Sequence, residues 1–285
     1  MILLGVICLV AAIVNGALGY GFSSIAVPLA LFVVGNRVLN PALVLLEVVM
    51  NAYVLWVNRH GLPRVWRRAI FVIGGLVPGT VVGTAALTHV DPAWLKLGTF
   101  SALLPLILLQ AAGYRRPIRA ERGVGVAFGG GVGTLYAITT ISGPPLAMFL
   151  NNQGYAKQEF RAALGAIRLA ESALTITLYA KSGLVTTASM SLLASIVPSV
   201  IIGVPIGTFI IRHVRDESFR RVCMTFDAAI VSLGLSALLS MLHVVDSSVA
   251  YLPFAAVVLF DVVVLYRFFR TQSPSLPACA QPQRP

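Results

Sequence analysis

Charge is what this sequence has least of. Only 11% of its 285 residues are charged, and ten of those are acidic. A soluble domain carries about 25%, so a water-soluble fold of this length is excluded. Cysteine is also scarce. Cys8, Cys223 and Cys279 lie far apart, which excludes a disulfide framework and any metal-binding spacing. There is no P-loop, no His-Glu-x-x-His and no Gly-x-Ser-x-Gly, so neither a nucleotide-driven pump nor a familiar hydrolase can be assembled. The polar stretches are too short to fold a separate nucleotide domain. No enzyme activity, cofactor or metal is expected.

What is present is apolar length. Hydrophobic residues make up 58% of the chain, in runs long enough for membrane helices rather than strands. They fall at about 2–34, 42–57, 69–88, 95–112, 123–150, 162–180, 188–211, 222–243 and 250–269. Residues 1–14 lack a basic start and read as a retained first helix rather than a cleaved signal. Residues 271–285 are Pro- and Ser-rich and are expected to be a disordered tail. The formal net charge of +11 comes from arginines beside the apolar runs. It reads as a topology signal rather than as nucleic-acid binding.

Two runs are too long and too broken for a single plain helix. "GALGYGFSSIAVPLALF" (16–32) interrupts the first, and "GGGVGTLYAITTISGPPLAMF" (129–149) interrupts the fifth. A half-segment of about 13 residues rises about 20 Å, short of the ~30 Å hydrocarbon core. Each run is therefore expected to be a re-entrant hairpin. The arginines agree with this. If 123–150 makes no net crossing, loops 59–68, 114–122 and 212–221 and the tail all fall on one side, the cytoplasmic one. A single crossing would split them.

That topology gives two halves of opposite sense. Local matches link them: "PLALF" (28–32) with "PLAMF" (145–149), and Gly79/Gly203, Gly83/Gly207, Thr84/Thr208 and His89/His213. Inverted repeats with helices broken in matching places are the sequence signature of a secondary transporter. A helix start at membrane depth is tolerated where it lines a cavity or is buried in protein. Its free N–H groups and positive dipole end then suit an anion.

At these residues the chain resembles the TauE/SafE family of sulfite exporters, also called TSUP. The resemblance rests on "GALGYGFSSIAVPLALF" and "GGGVGTLYAITTISGPPLAMFLNNQGYAKQEFRAAL" and covers most of residues 5–243. The first hairpin departs from the family's commoner Gly-Gly-Gly run, having "GYGFSS". The resemblance implies export of sulfite, thiosulfate-like or organosulfonate anions across the plasma membrane without ATP.

The expected substrate-binding residues lie at the two breaks. Gly21, Ser23 and Ser24 precede Pro28, and Thr139, Thr140, Ser142 and Gly143 precede Pro144. Hydroxyls and backbone N–H groups there would replace the water around an anionic oxygen. The competing reading is close helix packing, with the hydroxyls bonded to their own backbone. The Gly79-x-x-x-Gly83 and Gly203-x-x-x-Gly207 pairs read as packing faces. His89 and His213, at segment ends, read as interfacial.

Glu47, Arg168 and Glu171 lie within apolar helices, where an ionisable group costs at least ~3 kcal/mol and needs a partner or a cavity. Arg161 and Arg168 would attract the anion, and Glu47 and Glu171 would carry a coupling proton. Alternatively, Arg168 and Glu171, at i and i+3, pair on one helix face. Asp227 and Asp261 read as nearer segment ends and structural.

The expected fold is thus an all-α polytopic membrane protein. It has two inverted repeats, about 1–113 and 123–243. Each is a Gly/Pro-broken re-entrant hairpin plus three transmembrane helices, and an extra helix follows at 250–269. Residues 1–270 form one transmembrane domain. The expected function is secondary transport, outward in sense, of small sulfur-containing anions such as sulfite or organosulfonates across the plasma membrane. The expected partners are the anionic substrate, the lipid bilayer and a coupling proton, with a homo-oligomer allowed. Another small anion such as a carboxylate, or a non-transporting scaffold or accessory subunit, remains as the alternative.

Overall fold

A long apolar run in a membrane must satisfy its backbone internally, so helices are the form these runs take. The computed structural model describes residues 2–18, 20–111, 122–151, 155, 157–210, 216–242, 244–245 and 248–271. Expectations for loop 112–121, for 211–215 with His213, and for the tail from 272 lie outside these residues.

The described regular structure is all helical. The helices are α1 (Ile2–Leu18), α2 (Phe22–Ala30), α3 (Asn36–Val57), α4 (Leu62–His89), α5 (Pro92–Ala111), α6 (Arg122–Thr139), α7 (Gly143–Asn151), α8 (Lys157–Lys181), α9 (Thr187–Ile210), α10 (Asp216–Met241) and α11 (Leu252–Thr271). Single 3₁₀ turns at Arg59–Gly61 and Val249–Tyr251 lead into α4 and α11. The order long, short, long, long, long occurs twice. Helix starts at residues 2, 22, 36, 62 and 92 are followed by starts at 122, 143, 157, 187 and 216.

Both long broken runs are indeed two helices each, but the arms are unequal. Arms of 17 and 18 residues precede arms of 9, or about 26 Å against about 14 Å. The prolines also sit differently. Pro145 lies in the first turn of α7, where its missing N–H has no helical acceptor in any case. Pro28 lies near the far end of α2. The match between "PLALF" and "PLAMF" is therefore out of register with the breaks themselves.

The third helix starts earlier than the apolar pattern suggests, because its first residues have tertiary tasks. Arg37 donates to the carbonyls of Leu87 (3.2 Å), Thr88 (2.9 Å) and Val90 (3.2 Å), capping the end of α4. Asn36 and Asn40 are buried. Asp227 and Asp261 were expected near segment ends but lie mid-helix in α10 and α11. Neither carboxylate oxygen of the buried Asp261 has a partner among the described residues.

Packing follows a cross-pattern. α4 packs on α6 and α1 on α9, while α3 packs on α8 and α5 on α10. α2 touches α10, α7 touches α5, and α2 and α7 touch each other. Small residues make the closest of these crossings. A Cβ on Gly79 would lie 2.2 Å from the Gly130 oxygen, and one on Gly83 would lie 2.6 Å from the Thr134 oxygen. At the other crossing, a Cβ on Gly207 would lie 1.9 Å from the Ile13 oxygen, and one on Gly203 would lie 2.6 Å from the Ala12 Cβ. The hydroxyls of Thr134 and Thr208 each bridge to the partner helix, at Gly79 O (3.1 Å) and Gly16 O (3.3 Å). Backbones thus approach directly, which is how association proceeds where lipid supplies no hydrophobic drive between helices.

Residues 36–57, 59–89, 187–210 and 249–268 are long and apolar enough to cross a membrane. Their outward faces are apolar, with Val81, Val82, Ile201, Ile202, Leu259 and Val262 exposed.

These glycines give a stability test. Gly79→Val and Gly207→Val should each destabilise the fold by at least roughly 1–3 kcal/mol and reduce the yield of monodisperse protein. Gly74→Val in the same α4 helix meets nothing within 4 Å and should behave like wild type. Size-exclusion profiles and thermal melts in detergent compare the three.

Candidate functional site

The two breaks meet. A Cβ on Gly143, at the start of α7, would lie 3.5 Å from the backbone N of Gly21, at the start of α2. Each break turns through a left-handed residue. Gly21 has φ +100, which glycine adopts without steric cost, and Thr140 has φ +57, which a β-branched residue adopts only when held.

What holds Thr140 is visible at the end of α6. The last four carbonyls of a helix have no helical donor, and at membrane depth water cannot supply one. All four are met. Tyr136 O accepts from Thr140 N (2.6 Å) and Ala137 O from the Tyr179 hydroxyl. Ile138 O accepts from Asn40 Nδ2 (2.6 Å) and Thr139 O from the Thr140 hydroxyl (2.6 Å). The Thr139 hydroxyl donates to Leu135 O (2.7 Å) and accepts from Ile141 N (3.0 Å). The geometry therefore gives Thr139 and Thr140 a backbone task, as the competing reading had it.

The helix starts differ. In α7, Pro144 and Pro145 contribute no N–H, and Leu146 N donates to Ser142 O (3.0 Å). The prolines thus remove most of the donors that a helix start would leave unmet. In α2, Ile25 N donates to Gly21 O (3.4 Å), and the amides of Phe22, Ser23 and Ser24 have no intrahelical acceptor. Of the two starts, that of α2 leaves more amides without a helical acceptor.

Beside the breaks lies a buried charge cluster. Glu47 on α3 is 1% exposed, Arg168 on α8 is 4%, and Glu171 on α8 is 0%. Arg168 Nη2 donates to Glu47 Oε1 at 2.8 Å. Ser23 in α2 donates to the same oxygen, and Tyr136 in α6 donates to Glu47 Oε2 at 2.6 Å. Ser142, just before α7, donates to Glu171 Oε2. Each break thus hands a serine hydroxyl to a carboxylate, and the guanidinium crosses from α8 to α3.

This corrects one expectation. Arg168 does not take Glu171, three residues along, as its ion-pair partner; it reaches across to Glu47. Glu171 lies about 60° further round α8, and there it turns to Ser142. Tyr136, Tyr179 and Asn40 were missed, since a tyrosine or asparagine in an apolar run has no periodic signature of its own. One signal was available: Asn36, Asn40, Glu47 and Asn51 are spaced four, seven and four apart, a single helix face.

Three buried polar atoms by the breaks have no partner among the described residues: Ser24 Oγ, Arg168 Nε and Glu171 Oε1. Pro28 is buried in the body of α2. The side chain of Pro144 is outside the described residues. Arg161, half-buried, is seven residues from Arg168, about 10 Å along the axis, and does not join the cluster. A separate cavity of about 420 Å³ between α4, α5 and α6 reaches Thr139. The hydroxyls lining it, those of Thr99, Thr134 and Thr139, are all given to backbone carbonyls, so it offers an anion nothing.

The fold and this cluster define a class: a helical membrane protein whose two broken helices meet over buried, paired charge. Residues 4–235 match the model of the sulfite exporter TauE/SafE family, and the chain belongs to that family of membrane transporters. No curated protein and no solved structure matches it.

The pairing can be tested by a double-mutant cycle. Removing one partner of a buried pair costs about 3–5 kcal/mol, because the other charge is left unpaired. Arg168→Gln and Glu47→Gln should each show that loss, and the double variant should recover much of it. Glu171→Gln, whose amide oxygen still accepts from Ser142, should cost far less. Unfolding in mixed micelles measures all four. Absence of coupling between Arg168 and Glu47 in this cycle would contradict the geometry.

Proposed function

We propose that this chain is a secondary transporter, working as an exporter, of small sulfur-containing anions such as sulfite or organosulfonates across the plasma membrane. The observation that carries this reading is the meeting of the two breaks over Glu47, Arg168 and Glu171. A scaffold has no need of buried charge beside two interrupted helices, whereas transporters use such breaks to bind near the midplane.

On this reading the halves are inverted repeats. The packing supports it: exchanging α1–α5 with α6–α10 turns the α1/α9 contact into the α6/α4 contact and returns α3/α8 and α5/α10 to themselves. The short arms α2 and α7 re-enter, and the basic segments around Arg59, Arg64, Arg67 and Arg68 lie in the cytoplasm.

The charge count sets the coupling. With both carboxylates ionised and Arg168 protonated, the cluster holds one excess negative charge, and an anion cannot join it cheaply. A proton on Glu171 makes the empty site neutral. For an anion to take Arg168, Glu47 must give it up, and a second proton, reaching Glu47 by way of Glu171, keeps the occupied site neutral. Anion and proton therefore bind and leave together, so export runs down the anion's own outward gradient. Ser24, Arg168 Nε and the α2 amides are the free donors facing the ligand, and Ser23 and Ser142 turn to it once protonation weakens their carboxylate acceptors.

The test is flux of sulfite and simple sulfonates in reconstituted vesicles. Losing a hydrogen bond to a charged group costs roughly 1.5–3 kcal/mol, about 10- to 150-fold in affinity. Ser142→Ala and Ser23→Ala should weaken transport on that scale at near-normal protein levels, and Ser191→Ala, on an exposed turn of α9, should not. Wild-type flux in both break variants would move the site elsewhere. Topology is checked by labelling. A cysteine at Ser182 should react from outside and one at Arg64 only from the cytoplasm; the reverse pattern would overturn the orientation.

A further inference from the structure

The facing sides of α3 and α8 form a polar seam through the bundle. On α3 the seam carries Asn36, Asn40, Glu47 and Asn51, and on α8 it carries Tyr179, Thr175, Ser172, Glu171 and Arg168; all nine are buried. The two helices run antiparallel. Asn40 and Tyr179 meet over the adjacent carbonyls Ile138 O and Ala137 O at the end of α6. Glu47 meets Arg168, and Asn51 Nδ2 lies 3.5 Å from Ser172 Oγ.

The two ends of the seam differ. From the carboxylates toward the start of α3, buried polar atoms have no partner among the described residues: Glu171 Oε1, Thr175 Oγ1, Asn40 Oδ1, and both Asn36 Oδ1 and Nδ2. In the other direction the seam closes by backbone contact. A Cβ on Gly165 would lie 3.1 Å from Leu55 N, and one on Gly61 would lie 2.9 Å from Gln158 O. Ala162, between them, is fully buried.

Buried polar groups in native proteins find a partner, and where side chains do not supply it ordered water does. Asn36 and Asn40 are one turn apart, as are Glu171 and Thr175, and Thr175 and Tyr179. Side chains one turn apart are about 6 Å from each other, a gap that one water spans with two hydrogen bonds. Asn36 itself is flanked in the chain by exposed residues, Gly35 and Arg37, with Phe32 and Val33 exposed just before them.

We propose that the α3/α8 seam is a one-sided proton path, carried by water along Asn36, Asn40 and Thr175 to Glu171, and open to the outer face, at the end where α3 begins and α8 finishes beside the exposed Arg37 and Lys181. It rests on the reading of Glu171 and Glu47 as proton carriers and adds the side from which they are reached. The path conducts by hops of a proton along hydrogen bonds, so no bond other than O–H is made or broken. The groups facing Glu171 and Glu47 are Arg168 from α8, Tyr136 from α6, Ser142 before α7 and Ser23 from α2. None of them lies on the outer stretch of the path. The path residues Asn36 and Thr175 belong to neither the anion site nor the ion pair.

The experiment uses full-length protein in vesicles with sulfite as the probe. Thr175→Val keeps the shape and removes the hydroxyl, and Asn36→Leu removes both polar atoms. Each should lower proton-driven net flux by about tenfold while leaving sulfite-for-sulfite exchange, which moves no net proton, within about twofold of wild type. The exchange arm also reports folding. A second readout needs no variant. In oriented vesicles, the infrared band of the buried protonated carboxyl should follow outside pH and ignore inside pH, and it should vanish in Glu171→Gln. Proton-driven flux that survives both substitutions, or a carboxyl band that follows inside pH, would overturn the path. Absence of sulfite flux in wild type, with the band still following outside pH, would overturn the transport reading and leave the path standing.

Discussion

Everything at the centre of this fold answers one constraint: a helix that ends in a buried core has no water to receive its backbone groups. The end of α6 meets it with side chains from three elements, Asn40 on α3, Tyr179 on α8 and Thr140 in the break itself. The start of α7 meets it by having few donors, because two of its first three residues are proline. The start of α2 meets it least, and that is where three amides and the Ser24 hydroxyl remain. The two breaks share an architecture, but they do not share a chemistry.

The same constraint fixes the long helices. α3 and α8 must stand where their polar side chains reach the breaks, and that requires polar residues mid-helix. Those residues are tolerated because they pair, Glu47 with Arg168, Ser23 and Tyr136, and Glu171 with Ser142. The outer helices can then be nearly featureless, held by glycine crossings at Gly79, Gly83, Gly203 and Gly207. Polar specificity inside and close backbone packing outside are separate systems, and substitutions in one need not disturb the other.

How much of this the sequence disclosed follows the range of the interactions. Helix existence was legible because apolar length is a local signal, and the breaks because Gly, Pro and hydroxyl clusters are local too. The glycine packing faces were legible for the same reason. What was not legible depended on distant residues. Nothing near Arg168 says that its carboxylate is 121 positions away, and the only partner a local window offers, Glu171 at i+3, is not the one it takes. Asn36 and Arg37 looked like loop because the burial of the one and the α4 carbonyls bonded by the other are invisible in a window of sequence. The proline match misled because identical short strings need not share a register. Helix starts at residues 22 and 143 set the true correspondence, and by it Pro28 and Pro145 are not equivalents.

The two carboxylates are not equivalents either. Helix starts at residues 36 and 157 differ by the same 121 positions as the starts at 22 and 143, so Glu47 on α3 stands at the place of Arg168 on α8, and Glu171 stands at that of Met50. Glu47 and Arg168 bond each other, and Asn51 meets Ser172, also 121 positions on. The ion pair therefore joins matching places of the two helices, and because those places carry opposite charge neither is left unpaired. Glu171 has no such counterpart, and its carboxylate turns to the break instead, at Ser142.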